Sequence, residues 1–397
     1  MLLTVISTVA PINTGEQITA TDWLNVVYNH QPLPTAETMR HTDGFCHTRT
    51  YEVTQYDNHA TVFPRMKRTI KALGRRIQAF KETYDCTDMQ QHYDTFCIPK
   101  RSGGMREINA PKPYLMELMR LIQTELEHVL QLRYHDRAYA YCKGRSIKDA
   151  LIVHQNNESK WFLKLDLKDF FPSCSGDFIK AQLRHLYPFL PLYEDAACAA
   201  VLDEIIELSL LHNGLPQGTP LSPMWTNLIM LPIDHRLTKV LWNIDGKHFE
   251  YTRYADDILI SCKYDFDWRV ITEVVRAALG VYEAPFTIKD SKTRYGSSAG
   301  RNWNLGLMLN KDNNITLGHK QKMRLRAGIN NFLRDFTSGN FWDIMDVYRL
   351  QGNLSHLHSI EPEYCDYIIQ ELNSKYNTNF KDCAKRIING DIPGVRS

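Results

Sequence analysis

Apolar residues recur at three- and four-residue intervals along much of the chain, as they do on the buried face of an amphipathic helix. This spacing predicts helices over residues 65–81, 114–132, 225–240, 321–336, 341–350 and 363–376. A further helix is expected to end near Leu211. Because the last three segments follow one another closely, the C-terminal region is expected to be helical throughout.

Two other patterns predict β-hairpins. The segment FCIPKRSGGMREINAP, which starts at Phe96, places β-forming residues on both sides of a Gly-Gly turn. Residues 249–262 (FEYTRYADDILISC) place hydrophobic arms around two adjacent aspartates. Residues 161–171 (WFLKLDLKDFF) form an apolar run interrupted by carboxylates. Residues 215–223 (LPQGTPLSP) predict an irregular loop, because three prolines and a glycine break regular structure.

Composition narrows the class of protein. The chain has 397 residues, of which 43% are hydrophobic, enough for two or three globular domains. No stretch approaches the roughly 20 apolar residues of a membrane span, and the apolar start lacks the basic region of a signal peptide. The nine cysteines form no C-x-x-C pair. A cytoplasmic protein with no membrane partner, reduced thiols and no zinc site is expected.

Charge is balanced overall but clustered locally. The formal net charge is +2, whereas residues 65–81 carry seven basic side chains and no acidic one. Basic residues gather again near Lys100 and after Lys320. Such stripes can follow a phosphate backbone, because neutralised phosphates release their counterions. A solvated helix face is the alternative, so charge alone leaves nucleic-acid binding open.

Three aspartates in apolar surroundings indicate the chemistry. Asp166 lies in a leucine-rich run, and the adjacent Asp256 and Asp257 lie at the centre of the second hairpin pattern. A buried carboxylate is costly unless a cation or hydrogen bonds compensate it. Two strands that present carboxylates at one point would form an oxygen-rich site suited to Mg²⁺. A pair of such ions supports the in-line displacement that polymerases catalyse.

The order of the motifs adds a specific resemblance. The YADD sequence at residues 254–257 resembles the YxDD box of reverse transcriptases, and DLKDFF at residues 166–171 resembles their first carboxylate motif. LPQGTPLSP is similar to the loop that separates these two motifs in the family. A finger motif precedes them and a Lys-Thr segment follows, again in the family's order. The resemblance covers about residues 96–376.

This resemblance implies an α/β (α+β) right-hand polymerase fold. Residues 96–160 would form the fingers, and residues 161–310 the palm, an antiparallel sheet flanked by helices with interleaved fingers elements. Residues 311–397 would form an α-helical thumb and tail. Residues 1–95 match no motif and are expected to form an N-terminal extension that binds RNA or mediates oligomerisation.

The resemblance also implies the catalytic and metal-binding residues. Asp166, Asp256 and Asp257, with Leu167 in the ligand set, would hold two Mg²⁺ ions. Lys292 would protonate the pyrophosphate as a general acid. Asp169 is set aside, because on a strand it would lie an odd number of residues from Asp166 and face the other way.

Substrate contacts follow from the same motifs. Lys100 and Arg106 would clamp the triphosphate, and Phe171 would exclude a ribose 2′-hydroxyl. Gln217 would contact the sugar or base, while Gly218 would let the backbone approach closely. The template or RNA contacts are expected at Arg145, in the GRSI motif, and at Asn227. For Asn227 the alternatives are a role in buttressing the LPQG loop and an ordinary asparagine on a helix surface. Residues 304–307 match the primer-grip turn.

The expected function is an RNA-directed DNA polymerase that adds deoxynucleotides to nascent DNA. A dedicated non-coding RNA copied in bacterial anti-phage defence is the leading hypothesis. A retron enzyme that makes RNA-linked DNA ranks second, because the retron N-A-x-x-H and V-T-G motifs are altered here. The sequence also admits a template-independent or protein-primed polymerase, or a non-enzymatic RNA-binding scaffold with a polymerase fold. A homo-oligomer or a companion defence protein is left open.

Overall fold

The computed structural model describes residues 59–100, 103–130, 132–242, 244–298, 303 and 306–391. Most of the predicted N-terminal extension and two residues of the predicted primer-grip turn, Asn304 and Leu305, lie outside the described residues. The chain divides into two compact units, residues 1–145 with 163–295 and residues 146–162 with 296–397. These units and the predicted domain ranges divide the chain differently, and the domain ranges stay a prediction. No described helix is long and apolar enough to span a membrane.

Helices and short strands alternate along the chain. The helices are α1 His59–Thr83, α2 Pro113–Val129, α3 Ile147–Asn156, α4 Gly176–Leu183, α5 Phe189–Tyr193, α6 Ala196–Leu208, α7 Leu221–Leu241, α8 Trp268–Val281, α9 His319–Thr337, α10 Ile344–Ile360, α11 Pro362–Tyr376 and α12 Phe380–Ile388. The strands are β1 Tyr93–Pro99, β2 Met105–Pro111, β3 Trp161–Lys168, β4 Phe249–Tyr254, β5 Asp257–Cys262, β6 Thr287–Ile288, β7 Arg294–Ser297, β8 Met308–Leu309 and β9 Ile315–Thr316. The mixed helix and sheet content confirms the predicted fold class.

The helical periodicity predicted helices α1, α2, α7, α9, α10 and α11, and the helix expected to end near Leu211 is α6. Helix α10 runs to Ile360 rather than to residue 350, and helices α3, α4, α5 and α8 were not predicted. Helix α7 begins at Leu221, so the last three residues of the predicted irregular loop are helical. Prolines are tolerated there, because the first turn of a helix contains N–H groups without intrahelical acceptors. Helix α12 was not predicted as a separate element. Its start is fixed by Asn379, whose side chain accepts hydrogen bonds from Lys381 N and Asp382 N.

A five-stranded sheet forms the centre of the first unit. Its order is β4-β5-β3-β6, and β7 also pairs with β3. Strands β4 and β5 form an antiparallel hairpin whose last pair is Tyr254 and Asp257, which leaves Ala255 and Asp256 as its turn. Ala255 adopts a positive φ of 56°. Strands β1 and β2 form a separate antiparallel hairpin, so both predicted hairpins are confirmed.

The second unit is held by helices α9 to α12 with α3 and the β8–β9 hairpin. The Phe332 ring lies 5.4 Å from Trp342 and 5.3 Å from Phe380, centroid to centroid, in its core. Glu361 joins three elements, because its carboxylate accepts hydrogen bonds from Thr316 Oγ1 at 2.7 Å and Lys322 Nζ at 2.8 Å. None of the predicted catalytic or substrate-binding residues belongs to this unit.

Candidate active site

The sheet brings Asp166 beside the turn that carries Asp256 and Asp257. Asp166 lies near the end of β3 and is 6% exposed. The neighbouring backbone pairs with strands on both sides, because Leu167 N donates to Asp256 O at 2.9 Å and Lys289 N donates to Asp166 O at 2.8 Å. Two adjacent inner strands, β3 and β5, therefore present three carboxylates at one end of the sheet.

The carboxylates repel one another. Burial raises the pKa of Asp256, and the negative charges of Asp257 and Asp166 raise it further, against the opposing charge of Lys292. A raised carboxyl pKa means that the ionised form is disfavoured where it stands. A cation bound among these oxygens would relieve the repulsion.

Two lysines already neutralise part of this charge. Lys292 Nζ lies 2.6 Å from Asp166 Oδ2, and Lys164 Nζ lies 2.8 Å from Asp257 Oδ2. Burial lowers the pKa of Lys292. The hydrogen bond to Asp166 and the negative charges of the nearby carboxylates have a larger, opposite effect, so the pKa of Lys292 is raised overall. Lys164 was missed in the sequence. Its position two residues before Asp166, on the same face of a strand, was the available signal.

The donor chemistry fits a divalent cation. Carboxylate and carbonyl oxygens are the ligands that Mg²⁺ prefers, and Leu167 could contribute only its backbone carbonyl. Within the described ranges, no three His, Cys, Asp or Glu side chains are arranged as a ready-made metal site. Ammonium groups contact one oxygen each of Asp166 and Asp257. The two lysines and a metal ion would compete for the same oxygens.

A buried ion pair lies beneath the carboxylate turn. Arg253, near the end of β4, donates from Nε and Nη2 to the Asp234 carboxylate of α7 at 2.9 and 2.7 Å. Arg253 is 1% exposed and Asp234 is 0% exposed. Arg253 Nη1 also donates to Ala255 O at 3.2 Å, directly before Asp256. The pair therefore ties α7 to the backbone of the turn, a role that no sequence pattern predicted.

Asn227 belongs to this buried network. It is 1% exposed, donates from Nδ2 to Ala140 O at 3.0 Å, and accepts from Arg253 Nη2 at 3.2 Å. The expectation that Asn227 contacts template or RNA is corrected here, because its side chain is enclosed and its amide groups are hydrogen-bonded inside the protein. The single sequence could not distinguish a buried asparagine from an exposed one.

The loop before α7 is irregular, but backbone hydrogen bonds hold it at two points. Leu215 N donates to Phe171 O at 3.1 Å, and Asn109 N of β2 donates to Gln217 O at 2.8 Å. Gly218 has a φ of 119°, and a Cβ at this position would lie 2.9 Å from Asn109 O. This is the close backbone approach for which glycine is suited. Gln217 is partly exposed at this point of the loop.

Phe171 follows β3 and stands partly exposed beside this loop. Its ring lies 6.1 Å from the Tyr141 ring and 5.5 Å from the buried Phe170 ring, centroid to centroid. Asp169 does not lie on a strand, so the reason given for setting it aside was wrong. Strand β3 ends at Lys168, and Asp169 lies in the following turn with a φ of 46°, exposed to solvent.

The predicted cationic residues differ in their surroundings. Lys100 and Arg106 are exposed on the β1–β2 hairpin and form no ion pair with any residue that the structure describes. Arg145 is instead used within the protein. Its guanidinium donates to His135 O, to Ala138 O at 2.7 Å and to Asp136 Oδ1 at 3.3 Å. A template contact by Arg145 stays a prediction.

Known proteins resemble the chain over this region. Residues 98–322 match the family described as reverse transcriptase (RNA-dependent DNA polymerase). Retron Ec73 reverse transcriptase of Escherichia coli is 30% identical over 290 residues, which cover 72% of this chain and 87% of the relative. Retron Mx65 reverse transcriptase of Myxococcus xanthus is 32% identical over 292 residues, which cover 70% of this chain and 63% of the relative.

Among solved structures, telomerase from Candida albicans in complex with a fragment of telomeric RNA aligns with a TM-score of 0.42 and 12% identity. The alignment covers 77% of this chain and 64% of that chain. A likeness of this size carries no argument about function. The family match and the two retron enzymes are the informative similarities.

Proposed function

The chain belongs to the reverse transcriptase family of RNA-dependent DNA polymerases, and we propose that it copies a dedicated non-coding RNA into DNA by two-metal phosphoryl transfer. Its retron relatives place it with the bacterial retron-type enzymes. The observation that carries the proposed mechanism is the meeting of β3 with the β4–β5 turn, where Asp166, Asp256 and Asp257 share one electrostatic environment.

The metal-binding residues in this proposal are the three aspartates and the backbone carbonyl of Leu167. Two bound Mg²⁺ ions would supply activation of the primer hydroxyl and stabilisation of the departing pyrophosphate. The protein contributes the oxygen donors and a partly buried position that strengthens electrostatic attraction. Lys164 and Lys292 would exchange their bonds with these carboxylates when the site is loaded.

The remaining side chains bind and orient a deoxynucleoside triphosphate. Lys100 and Arg106 would hold the phosphates, the lysine as a point charge and the arginine as a bidentate donor. Phe171 would leave no space for a 2′-hydroxyl, and Gln217 with Gly218 would line the pocket beside it. The hydrogen bond from Leu215 N to Phe171 O supports this grouping, because it joins the loop to the gate residue. Lys292 would hold the proton for pyrophosphate.

Helix α1 supplies a surface for the proposed RNA partner. Three of its lysines pair with acidic side chains of α6 and of its N-cap residue, Asp195. Lys67 and Lys71 lie 3.1 and 3.5 Å from Asp195 Oδ2, and Lys81 lies 3.0 Å from Glu204 Oε1.

The four arginines of α1, Arg65, Arg68, Arg75 and Arg76, are exposed on another face. They form no ion pair with any described part of the chain. This arginine face is free to neutralise phosphates, which supports an RNA-binding role for the end of the N-terminal extension.

The arginine face is tested by the salt dependence of RNA binding. Arg68→Gln and Arg75→Gln should each weaken binding of a structured RNA and lower the slope of log K against log salt by about 0.7 to 0.9. Lys81→Gln is the matched control, since it removes a positive charge from the face that pairs with α6. Equal slopes in all three variants would contradict the assignment.

We place this activity in bacterial anti-phage defence, as the sequence resemblance implies. A host that carries the gene should lose protection against phage when Asp256→Asn is introduced, and unchanged plating efficiency would contradict this setting.

The polymerase proposal itself is tested by sequencing the nucleic acids that copurify with the full chain. One dominant RNA and DNA complementary to it are expected. DNA without sequence relation to any bound RNA would favour template-independent synthesis instead.

A further inference from the structure

Tyr141 lies at the candidate active site, although no motif singled it out. Its side chain is 54% exposed, whereas Ala140 and Cys142 on either side are 1% and 9% exposed. Tyr141 adopts a φ of 59°, a left-handed conformation that is uncommon for a bulky residue and costs free energy. The fold thus holds this ring outward from a buried segment at some cost.

The segment that carries Tyr141 is attached to the catalytic hairpin. Tyr139 N donates to Arg253 O at 2.9 Å, and Arg253 N donates to Arg137 O at 2.8 Å. The buried Asn227 amide holds Ala140 O at 3.0 Å from the other side. Because these bonds fix the backbone on both sides, the position of Tyr141 is set relative to the carboxylate turn.

The Tyr141 ring contacts the predicted sugar gate. Its centroid lies 6.1 Å from that of Phe171, with the ring planes at 64°, an edge-to-face geometry. Desolvation raises the pKa of Tyr141, the charges of Asp256 and Tyr254 raise it further, and the charge of Arg106 lowers it. The hydroxyl is therefore within electrostatic reach of the carboxylate turn and of β2. It has no hydrogen-bond partner among the described residues.

We propose that Tyr141 is a second wall of the deoxynucleotide pocket, whose ring holds Phe171 against the sugar and whose free hydroxyl donates a hydrogen bond to the incoming nucleotide. This inference rests on the proposed function, because it takes Phe171 as the sugar gate. An exposed ring with an unused hydroxyl, fixed in a strained conformation beside the gate, is suited to a ligand that arrives during the reaction. The ligand class is a 2′-deoxynucleoside 5′-triphosphate.

The test is single-nucleotide incorporation on a primer annealed to an RNA template of mixed sequence. The kcat and KM are measured for one deoxynucleotide and its ribonucleotide counterpart in the unaltered chain, Tyr141→Phe and Tyr141→Ala. Tyr264→Ala is the matched control, since Tyr264 is 60% exposed in the same unit. Truncation of an exposed side chain leaves no buried cavity, and Tyr141→Phe retains the ring.

Tyr141→Ala should raise the KM for the deoxynucleotide and reduce deoxynucleotide-over-ribonucleotide discrimination, each by about threefold to tenfold. Tyr141→Phe should raise the KM but retain discrimination, because it removes only the hydroxyl. Unchanged KM and discrimination in Tyr141→Ala would overturn the inference. A changed KM for the primer-template alone would also overturn it and indicate a template contact.

Phe171→Ala separates this inference from the proposed function. If Phe171→Ala relaxes sugar discrimination and Tyr141→Ala does not, the proposed role of Tyr141 is refuted, while the assignment of Phe171 as the sugar gate is retained. If Phe171→Ala leaves discrimination unchanged, the gate assignment fails. If both single variants relax it, the double variant should relax it by less than the product of the two effects, because the residues act as one unit.

Discussion

The buried Arg253–Asp234 pair gives the sharpest test of how the fold supports the carboxylate turn. Arg253→Met removes the guanidinium but retains most of the side-chain volume. The Asp234 carboxylate, 0% exposed, would then keep, among the residues that the structure describes, only the hydrogen bond from Tyr251 Oη at 2.6 Å. An uncompensated buried charge costs about 3 to 5 kcal/mol, so the free energy of unfolding should fall by about that amount.

The double variant Arg253→Met, Asp234→Leu separates stability from positioning. Replacing a buried ion pair with apolar residues of similar volume is often neutral or stabilising, so most of the lost stability should return. Activity should not return, because no group replaces the bond from Arg253 Nη1 to Ala255 O that holds the turn.

Equilibrium urea unfolding and RNA-templated primer extension measure the two properties in the same preparations. The matched control is Lys180→Met, which breaks an ion pair with Glu207 that lies at the surface of the same unit. A surface pair contributes about 0 to 1 kcal/mol, so this variant should keep nearly full stability and activity. If the double variant regained activity together with stability, the proposed positioning role of Arg253 would be refuted.

Three further predictions concern the gate, the loop and acid stability. Phe171→Ala should increase ribonucleotide incorporation, measured as the ratio of kcat/KM values for the two sugars. Gly218→Ala should raise the nucleotide KM and lower the free energy of unfolding by about 1 to 3 kcal/mol, because the φ of Gly218 is 119° and an added Cβ would clash with Asn109 O. Gly352→Ala is the control, because an added Cβ at Gly352 would have no neighbouring atom within 4 Å. Burial lowers the pKa of His135 to about 3, below the ordinary 6.5. As pH falls, the unfolded chain therefore takes up a proton at His135 before the folded chain does. Between pH 7 and pH 5 the free energy of unfolding of the original chain should fall by about 2 kcal/mol because of this residue, and the His135→Gln variant should lack this decrease.

The sequence predicted the family because catalytic motifs have a strict order and spacing. YADD, DLKDFF and LPQG could each be recognised in the printed chain, and the family match confirms that recognition. The hairpins were predicted for a related reason, since β-forming residues flank short turns in both. Among the subgroups, the sequence ranked the retron type second, whereas the similar proteins are retron enzymes.

Residues that act through tertiary contacts could not be predicted in this way. Arg253 and Asp234 are separated by 19 positions, and only the packing of α7 against β4 brings them together. Asn227 was expected at a nucleic-acid surface, whereas the fold buries it. The outward orientation of Tyr141 follows from a left-handed backbone conformation that no local sequence pattern predicts. In each case the missing information was which side of an element faces the core.

The central claim is that Asp166 and Asp256 act together at one catalytic site. The most direct measurement is single-turnover incorporation of a deoxynucleotide on an RNA template in Mg²⁺, for Asp166→Asn, Asp256→Asn and the exposed control Asp169→Asn. The first two variants should lose about a thousandfold or more in rate, since each removes the negative charge of a proposed metal ligand, while the control keeps the original rate. Equal rates in all three variants would contradict the claim.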